Sequence, residues 1–221
     1  MHLLVIGASR GIGLEFVKQY RAEGHQVTAT ARDEASLIRL RDLGAKPVRL
    51  DVLDPGSCAG LAWQLDGLQF DIAIVNAGVY GPHVDAPTAP SQDDFDFVMR
   101  TNVLVPMRVL PALTETLAQG AKLAVISSKM GSMALRASPN GWLYRASKAA
   151  VNSVLKDASI VLGGRATCVA FHPGWVRTDM GGPQADLSPA AAVAAMRRTL
   201  EGLGAGDNGS YLNFDGQPLA W

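Results

Sequence analysis

Seven short apolar runs recur along the chain, spaced by segments long enough for helices, and this alternation constrains the fold more than any other feature. Leu3-Leu4-Val5-Ile6 is continuously apolar and stops at Gly7, which suits a strand buried on both faces of a parallel sheet. Similar runs lie near 26–30, 47–50, 71–75, 122–126, 166–171 and 210–214, with helix-length segments near 11–23, 33–43, 55–66, 92–118, 144–162 and 188–202. Strict alternation predicts a doubly wound α/β fold, a parallel sheet of about seven strands with helices on both faces and right-handed crossovers. The strand carboxyl ends of such a sheet gather along one edge, where ligands bind.

The 221 residues are 48% hydrophobic and 18% charged, with 20 basic and 20 acidic side chains. That length suits one three-layer core, and no linker, repeat or low-complexity tract divides it, so 1–221 reads as a single domain. Zero net charge without a basic run argues against nucleic acid or an anionic membrane as partner and leaves a small molecule. Cys58 and Cys168 fall inside apparent elements without metal-like spacing, so buried thiols in a reducing compartment are expected, and no metal site. The apolar run 3–6 is too short for a signal peptide or a membrane span, and a cytoplasmic protein is expected.

The chemistry-bearing motifs sit at strand ends. Gly7-Ala8-Ser9-Arg10-Gly11-Ile12-Gly13 lies between the first strand and the first helix. Glycines there let backbone approach a pyrophosphate, and the helix N-terminus presents free N–H groups to it. The spacing is G-x-x-x-G-x-G rather than G-x-G-x-x-G, and a merely tight turn is the competing reading. Arg10 lies in this turn, and Arg32 follows the second strand, where an NAD-selective domain carries an acid and this chain has Ala31. A guanidinium pair suits a 2′-phosphate, so NADP is expected over NAD, unless Arg32 and Asp33 only begin a solvated helix. Asp51-Val52 ends the third strand beside the expected adenine, with Asp51 either bonding its amino group or capping a helix. Tyr144 and Lys148, four residues apart, share one helix face.

Together with Asn76-Ala77-Gly78, Asn102, Ser127-Ser128 and Pro173-Gly174, the ordered set resembles the short-chain dehydrogenase/reductase family, over the whole chain. His172 to Gly182 and the tail Phe214-Asp215-Gly216-Gln217-Pro218-Leu219-Ala220-Trp221 resemble, more narrowly, its C-factor and sniffer-type carbonyl reductase branch. The resemblance implies a Rossmann-type fold and NADPH-dependent reduction of a small aldehyde or ketone. It makes Tyr144 the acid, with Lys148 lowering the phenol pKa and reaching the nicotinamide ribose. Ser128, preferred over Ser127 because Lys129-Met130-Gly131 follows it, holds the carbonyl oxygen. Asn102 bends the long helix and ties Lys148 to a relaying water. Asn76, Ala77 and Gly78 let the cofactor lie against backbone, and Pro173, Gly174, Val176 and Thr178 cover the nicotinamide. Ser9, Ile12 and Gly13 belong to the cofactor turn, and His172 reads as structural.

The gap from Ser128 to Tyr144 looks about three residues longer than is usual in the family, which implies a remodelled 131–141 loop. Ser188-Pro189 begins the next helix about ten residues after Thr178, so the lid is short and the pocket open. Loops 79–91 and 131–141 then set specificity, with Met130, Met133 and Trp142 as candidate pocket walls. A signalling protein that binds nucleotide without catalysis is the rival, against which the complete catalytic set argues. An epimerase is disfavoured, since the short C-terminal part leaves no room for a separate substrate domain. Apolar faces on 92–118 and 144–162 would suit a homodimer or homotetramer.

Overall fold

A computed structural model of the chain describes residues 1–84 and 87–221, so part of the 79–91 loop, at positions 85 and 86, lies outside the described residues. The strands are β1 (His2–Ile6), β2 (Gln26–Ala31), β3 (Lys46–Arg49), β4 (Phe70–Val75), β5 (Leu117–Ile126), β6 (Ala166–His172) and β7 (Ser210–Asn213). The helices are α1 (Gly11–Ala22), α2 (Glu34–Asp42), α3 (Pro55–Ala59), α4 (Leu61–Gln64), α5 (Gln92–Met99), α6 (Val105–Leu113), α7 (Trp142–Val161) and α8 (Pro189–Gly202). All the strands pair in parallel, in the order β3-β2-β1-β4-β5-β6-β7.

Alternation along each strand feeds two cores. Leu4 and Ile6 pack with Leu61 of α4, Val109 and Leu113 of α6, and Val151 and Leu155 of α7. Leu3 and Val5 pack on the opposite face with Phe16 of α1, Leu40 of α2, and Val193 and Met196 of α8. Each large side chain buried this way contributes about 1.5–3 kcal/mol before chain entropy is counted, which explains why a continuous apolar run is required. Both cysteines are buried and free. No helix among the described residues is long and apolar enough to cross a membrane.

Two expected helices are broken. Segment 55–66 divides into α3 and α4 at Gly60. Segment 92–118 divides at a π-helical turn, Arg100–Leu104, and α6 ends at Leu113, so that β5 already begins at Leu117. Pro106 has no N–H to offer the Asn102 carbonyl one turn back, and the ladder widens there. From β1 the chain winds outward to β2 and β3, then crosses to β4 on the other side of β1. This reversal opens a crevice beyond Ile6 and Val75, which pair in register, at the position where open α/β sheets take ligands.

Candidate active site

Three adjoining cavities follow that edge. The first, about 300 Å3, is bordered by Gly7, Ser9, Arg10, Arg32, Asp51, Val52, Asn76, Ala77 and Gly78. The second, about 390 Å3, is bordered by Arg10, Gly11, Ile12, Asn76, Gly78, Tyr144, Lys148, Pro173 and Thr178. The third, about 630 Å3, is bordered by Ile12, Ser128, Tyr144, Pro173, Gly174, Val176 and Thr178. The structure thus brings nearly every candidate residue to one continuous trench. Gly13 and Asn102 border none of the three and act from behind the wall.

The turn after β1 is shaped by close approach. Gly7 has φ +85, in the left-handed region, and a Cβ there would stand 2.9 Å from the Ala77 nitrogen. A Cβ on Gly13 would stand 2.2 Å from the Gly7 carbonyl oxygen, so the third glycine seats α1 against the sheet. Asn76 Nδ2 donates to that same carbonyl at 2.8 Å, tying the end of β4 to the end of β1. Side chains cap α2, α3, α5 and α8, but α1 starts without a capping side chain and without an acid in its first turn. Its leading N–H groups are left for a ligand.

At the far end of the trench, Arg10 reaches across to Asp179 at 2.6 Å, both well exposed. Arg32 is exposed and makes no salt bridge among the described residues. Asp33, the one acid beside it, is committed to capping α2, accepting from the Ser36 N–H and hydroxyl at 2.9 Å each. These bonds hold its carboxyl below the usual range. Arg39, which sequence reasoning missed, donates from α2 to the Ser9 carbonyl at 2.9 Å; only the helical wrap of α2 reveals it. Asp51 caps no helix: Asp54 caps α3, while Asp51 accepts from the Leu53 N–H at 3.0 Å.

Tyr144 and Lys148 are both buried, on successive turns of α7. Tyr144 stacks on Tyr80, with centroids 4.6 Å apart, and Tyr80 stacks in turn on His83 at 4.5 Å. Tyr80 was missed by sequence reasoning; its signal is an aromatic two residues beyond Asn76-Ala77-Gly78. Burial pushes the Tyr144 phenol up to about 12, and the nearby Ser128 side chain lowers it only in part. The expected lowering by Lys148 is therefore not seen. Lys148 Nζ sits 5.6 Å from the phenol ring centroid and donates to the Ile126 carbonyl at 3.0 Å, and burial brings its own pKa down to about 8. In this dry setting the penalty that burial places on charge is the leading cause of both shifts.

The two serines separate. Ser127 donates to Asn152 Oδ1 at 2.6 Å, inside the packing of α7, whereas Ser128 is the one that lowers the Tyr144 phenol and borders the large cavity with it. Asn102, in the π-helical turn, behaves as a strand partner: its Oδ1 accepts from the Val79 N–H and its Nδ2 donates to the Val79 carbonyl, each at 2.8 Å. Nδ2 also donates to the Ser147 hydroxyl at 2.8 Å, which joins the turn to α7. A Cβ on Gly78 would meet Asn102 Oδ1 and Lys148 Nζ at 3.4 Å each.

Beyond β6 the short connection is tied down. Val176 bridges to Leu187, and the Arg177 N–H donates to the Leu187 carbonyl at 2.8 Å. Met130 borders the large cavity, but Met133 and Trp142 do not; the Trp142 indole N–H donates to the Thr88 carbonyl at 3.1 Å. His172 borders it too. Its Nδ1 is buried without a hydrogen-bond partner among the described residues, and burial followed by the Lys129 charge pushes the imidazole down to about 4. The unfolded chain takes up that proton near pH 6.5, so stability is full above about 6.5 and declines as pH falls toward 4. Between pH 7 and 5 the wild type should lose about 2 kcal/mol more than His172→Gln, read from urea unfolding. Equal losses would refute this account of the imidazole.

Residues 1–187 match the family model described as short chain dehydrogenase. The C-signal of Myxococcus xanthus is 37% identical over 157 residues, covering 68% of this chain and 92% of that protein. Among solved structures, a short-chain dehydrogenase/reductase from Burkholderia multivorans with bound NADP superimposes with a TM-score of 0.89 at 33% identity, covering 100% of this chain and 99% of the other. Carbonyl reductase Sniffer of D. melanogaster does so at 0.88 and 29% identity, with the same coverage. With its model matched from residue 1 to 187, the chain belongs to the short-chain dehydrogenase family.

Proposed function

We propose that this protein is an NADPH-dependent reductase of small or exposed aldehydes and ketones, with one domain spanning 1–221. The observation that carries the reading is the position of Tyr144, which borders both the large apolar cavity and the cavity that holds Lys148. A dinucleotide fits the remaining trench: the first-turn N–H groups of α1 are uncapped for a pyrophosphate, and Gly78 keeps the wall beside Lys148 low. NADP bound to the Burkholderia relative supports this choice of cofactor. When bound, the nicotinamide supplies hydride to the carbonyl carbon.

The chain's own residues manage the oxygen. The carbonyl π electrons move to oxygen as the C–H bond forms, and the Tyr144 hydroxyl gives that oxygen its proton, leaving an alcohol and a phenolate that solvent reprotonates. A phenol near 12 holds its proton throughout the neutral range, as an acid must. Ser128, which borders the large cavity beside Tyr144, steadies the oxygen as charge builds. Lys148, charged below about pH 8, offsets the phenolate left behind. Asn102 and Ser147 hold the Val79 backbone and α7 in place around them.

Arg32 supplies the cofactor preference in this reading, since Asp33 is engaged in capping. Arg32→Ala should weaken NADPH binding by about tenfold or more and leave NADH within about twofold, measured by calorimetry. Equal losses for both nucleotides would remove Arg32 as a phosphate ligand. The similarity to the Myxococcus C-signal favours a second reading, a signalling role that rests on nucleotide binding. It predicts a biological effect that survives loss of the Tyr144 hydroxyl.

A further inference from the structure

The tail Phe214–Trp221, which the mechanism above leaves unused, does not trail from β7 but folds back along it. Gly216 turns the chain at φ +88. The Asn213 N–H donates to the Gln217 carbonyl and the Leu219 N–H to the Tyr211 carbonyl, both at 2.8 Å, with an antiparallel bridge from Leu212 to Pro218. This hairpin brings the last two residues to the segment that follows Gly131. The Ser132 hydroxyl donates to the Ala220 carbonyl at 2.6 Å, and the Met133 and Ala134 N–H groups donate to the Trp221 oxygen at 3.0 and 3.1 Å. The Trp221 indole stacks on the Tyr211 ring with centroids 5.1 Å apart. The Tyr211 hydroxyl in turn donates to the Ser128 carbonyl.

Residues 133–140 are all exposed and belong to no helix or strand, so this stretch has little burial of its own to hold it. Yet Leu135, Ala137 and Ser138 form a wall of the large cavity, and Ser128 stands at its base. None of residues 214–221 borders the two cavities assigned to nucleotide. The tail therefore meets the site from the side of the large cavity, through the 132–138 wall, through Phe214 beside Gly174, and by way of Tyr211 at the Ser128 carbonyl.

We propose that Trp221 and Tyr211 are positioning residues for substrate: the tail clamps the 132–138 wall and the Ser128 peptide in the geometry that receives the carbonyl compound. The kinetic part of this inference rests on the reductase reading; the clamp itself does not. A wall held before binding spares the ordering cost that a loose one imposes on each substrate, so the effect belongs in KM and in discrimination by size.

The test compares wild type (residues 1–221), Trp221→Ala, Trp221→Phe and a chain lacking Ala220 and Trp221. Hydrogen exchange of the 132–138 amides should quicken about tenfold in Trp221→Ala and in the shortened chain while β5 and α7 stay protected. KM for naphthaldehyde should rise about fivefold and KM for propanal by less, so that the ratio between them shifts, with NADPH affinity by calorimetry within about twofold of wild type. Trp221→Phe, which keeps a stacked ring on Tyr211, should restore both readings. Unchanged exchange overturns the clamp, and faster exchange with unchanged KM overturns the positioning role. A KM rise matched by weaker NADPH binding and a general loss of protection also overturns it, in favour of bulk stability. If wild type reduces no carbonyl at all, the reductase reading fails, and exchange alone still decides whether the clamp exists.

Discussion

Tyr144→Phe should lower carbonyl turnover by about a thousandfold while NADPH affinity stays within about twofold. The substitution removes one oxygen from a ring that is otherwise fully supported. Phe keeps the burial in α7 and the stack on Tyr80, so the packing term is preserved and the stability change should be about 1 kcal/mol. What disappears is the proton donor at the boundary of the two cavities. Ser128 can still orient a carbonyl oxygen but has no acidic proton to surrender at neutral pH. The measurement is kcat at saturating NADPH beside a calorimetric titration. A variant keeping more than about a tenth of wild-type turnover would sink the assignment of Tyr144 as acid. A cellular effect that persists in a catalytically dead variant would move the argument to the signalling reading.

Gly13→Ala should be a severely damaging single-methyl change behind the trench wall. The added carbon would stand 2.2 Å from the Gly7 carbonyl oxygen and 2.7 Å from Asn76 Nδ2. Those two atoms are the acceptor and donor of the bond that ties β1 to β4. The Gly7 oxygen is backbone and the Asn76 amide is held by its bond to it, so α1 must move away from the sheet or the bond must break. Overpacking of this kind costs about 3 kcal/mol, equivalent to a fall in Tm of roughly 6–12 °C for a chain this size. Lifting α1 also moves its uncapped N–H groups, and NADPH binding should weaken by more than about tenfold. Gly202→Ala is the control: nothing lies within 4 Å of its added carbon, and alanine favours the last turn of α8. Similar melting of Gly13→Ala and wild type would show that α1 does not approach the sheet as described.

Most of the sheet was legible because parallel strands are buried on both faces and leave uninterrupted apolar runs. The five residues that open β5, Leu117 to Ala121, were missed because they mix Gln119 and Gly120 with small apolar residues, as a fraying helix end would. The broken helix over 92–113 hid for another reason: its apolar period continues through the π-helical turn, and Pro106 disturbs the ladder without disturbing the pattern. Met133 and Trp142 were expected in the pocket because they neighbour Ser128 and Tyr144 in sequence. Loop direction, which depends on contacts with Trp221 and Thr88, turned them elsewhere.

The sequence by itself determined the layered fold, the edge along which the motifs collect, and the face shared by Tyr144 and Lys148, since each follows from a local period of two or of 3.6 residues. Only the tertiary structure decided which of Ser127 and Ser128 meets the phenol, that Asp33 is engaged in capping and Arg10 in pairing, and that Asn102 holds Val79 and Ser147. It also set the direction of the Tyr144 shift. Desolvation and hydrogen bonding between distant segments depend on what surrounds a group in space, and no local spacing encodes that.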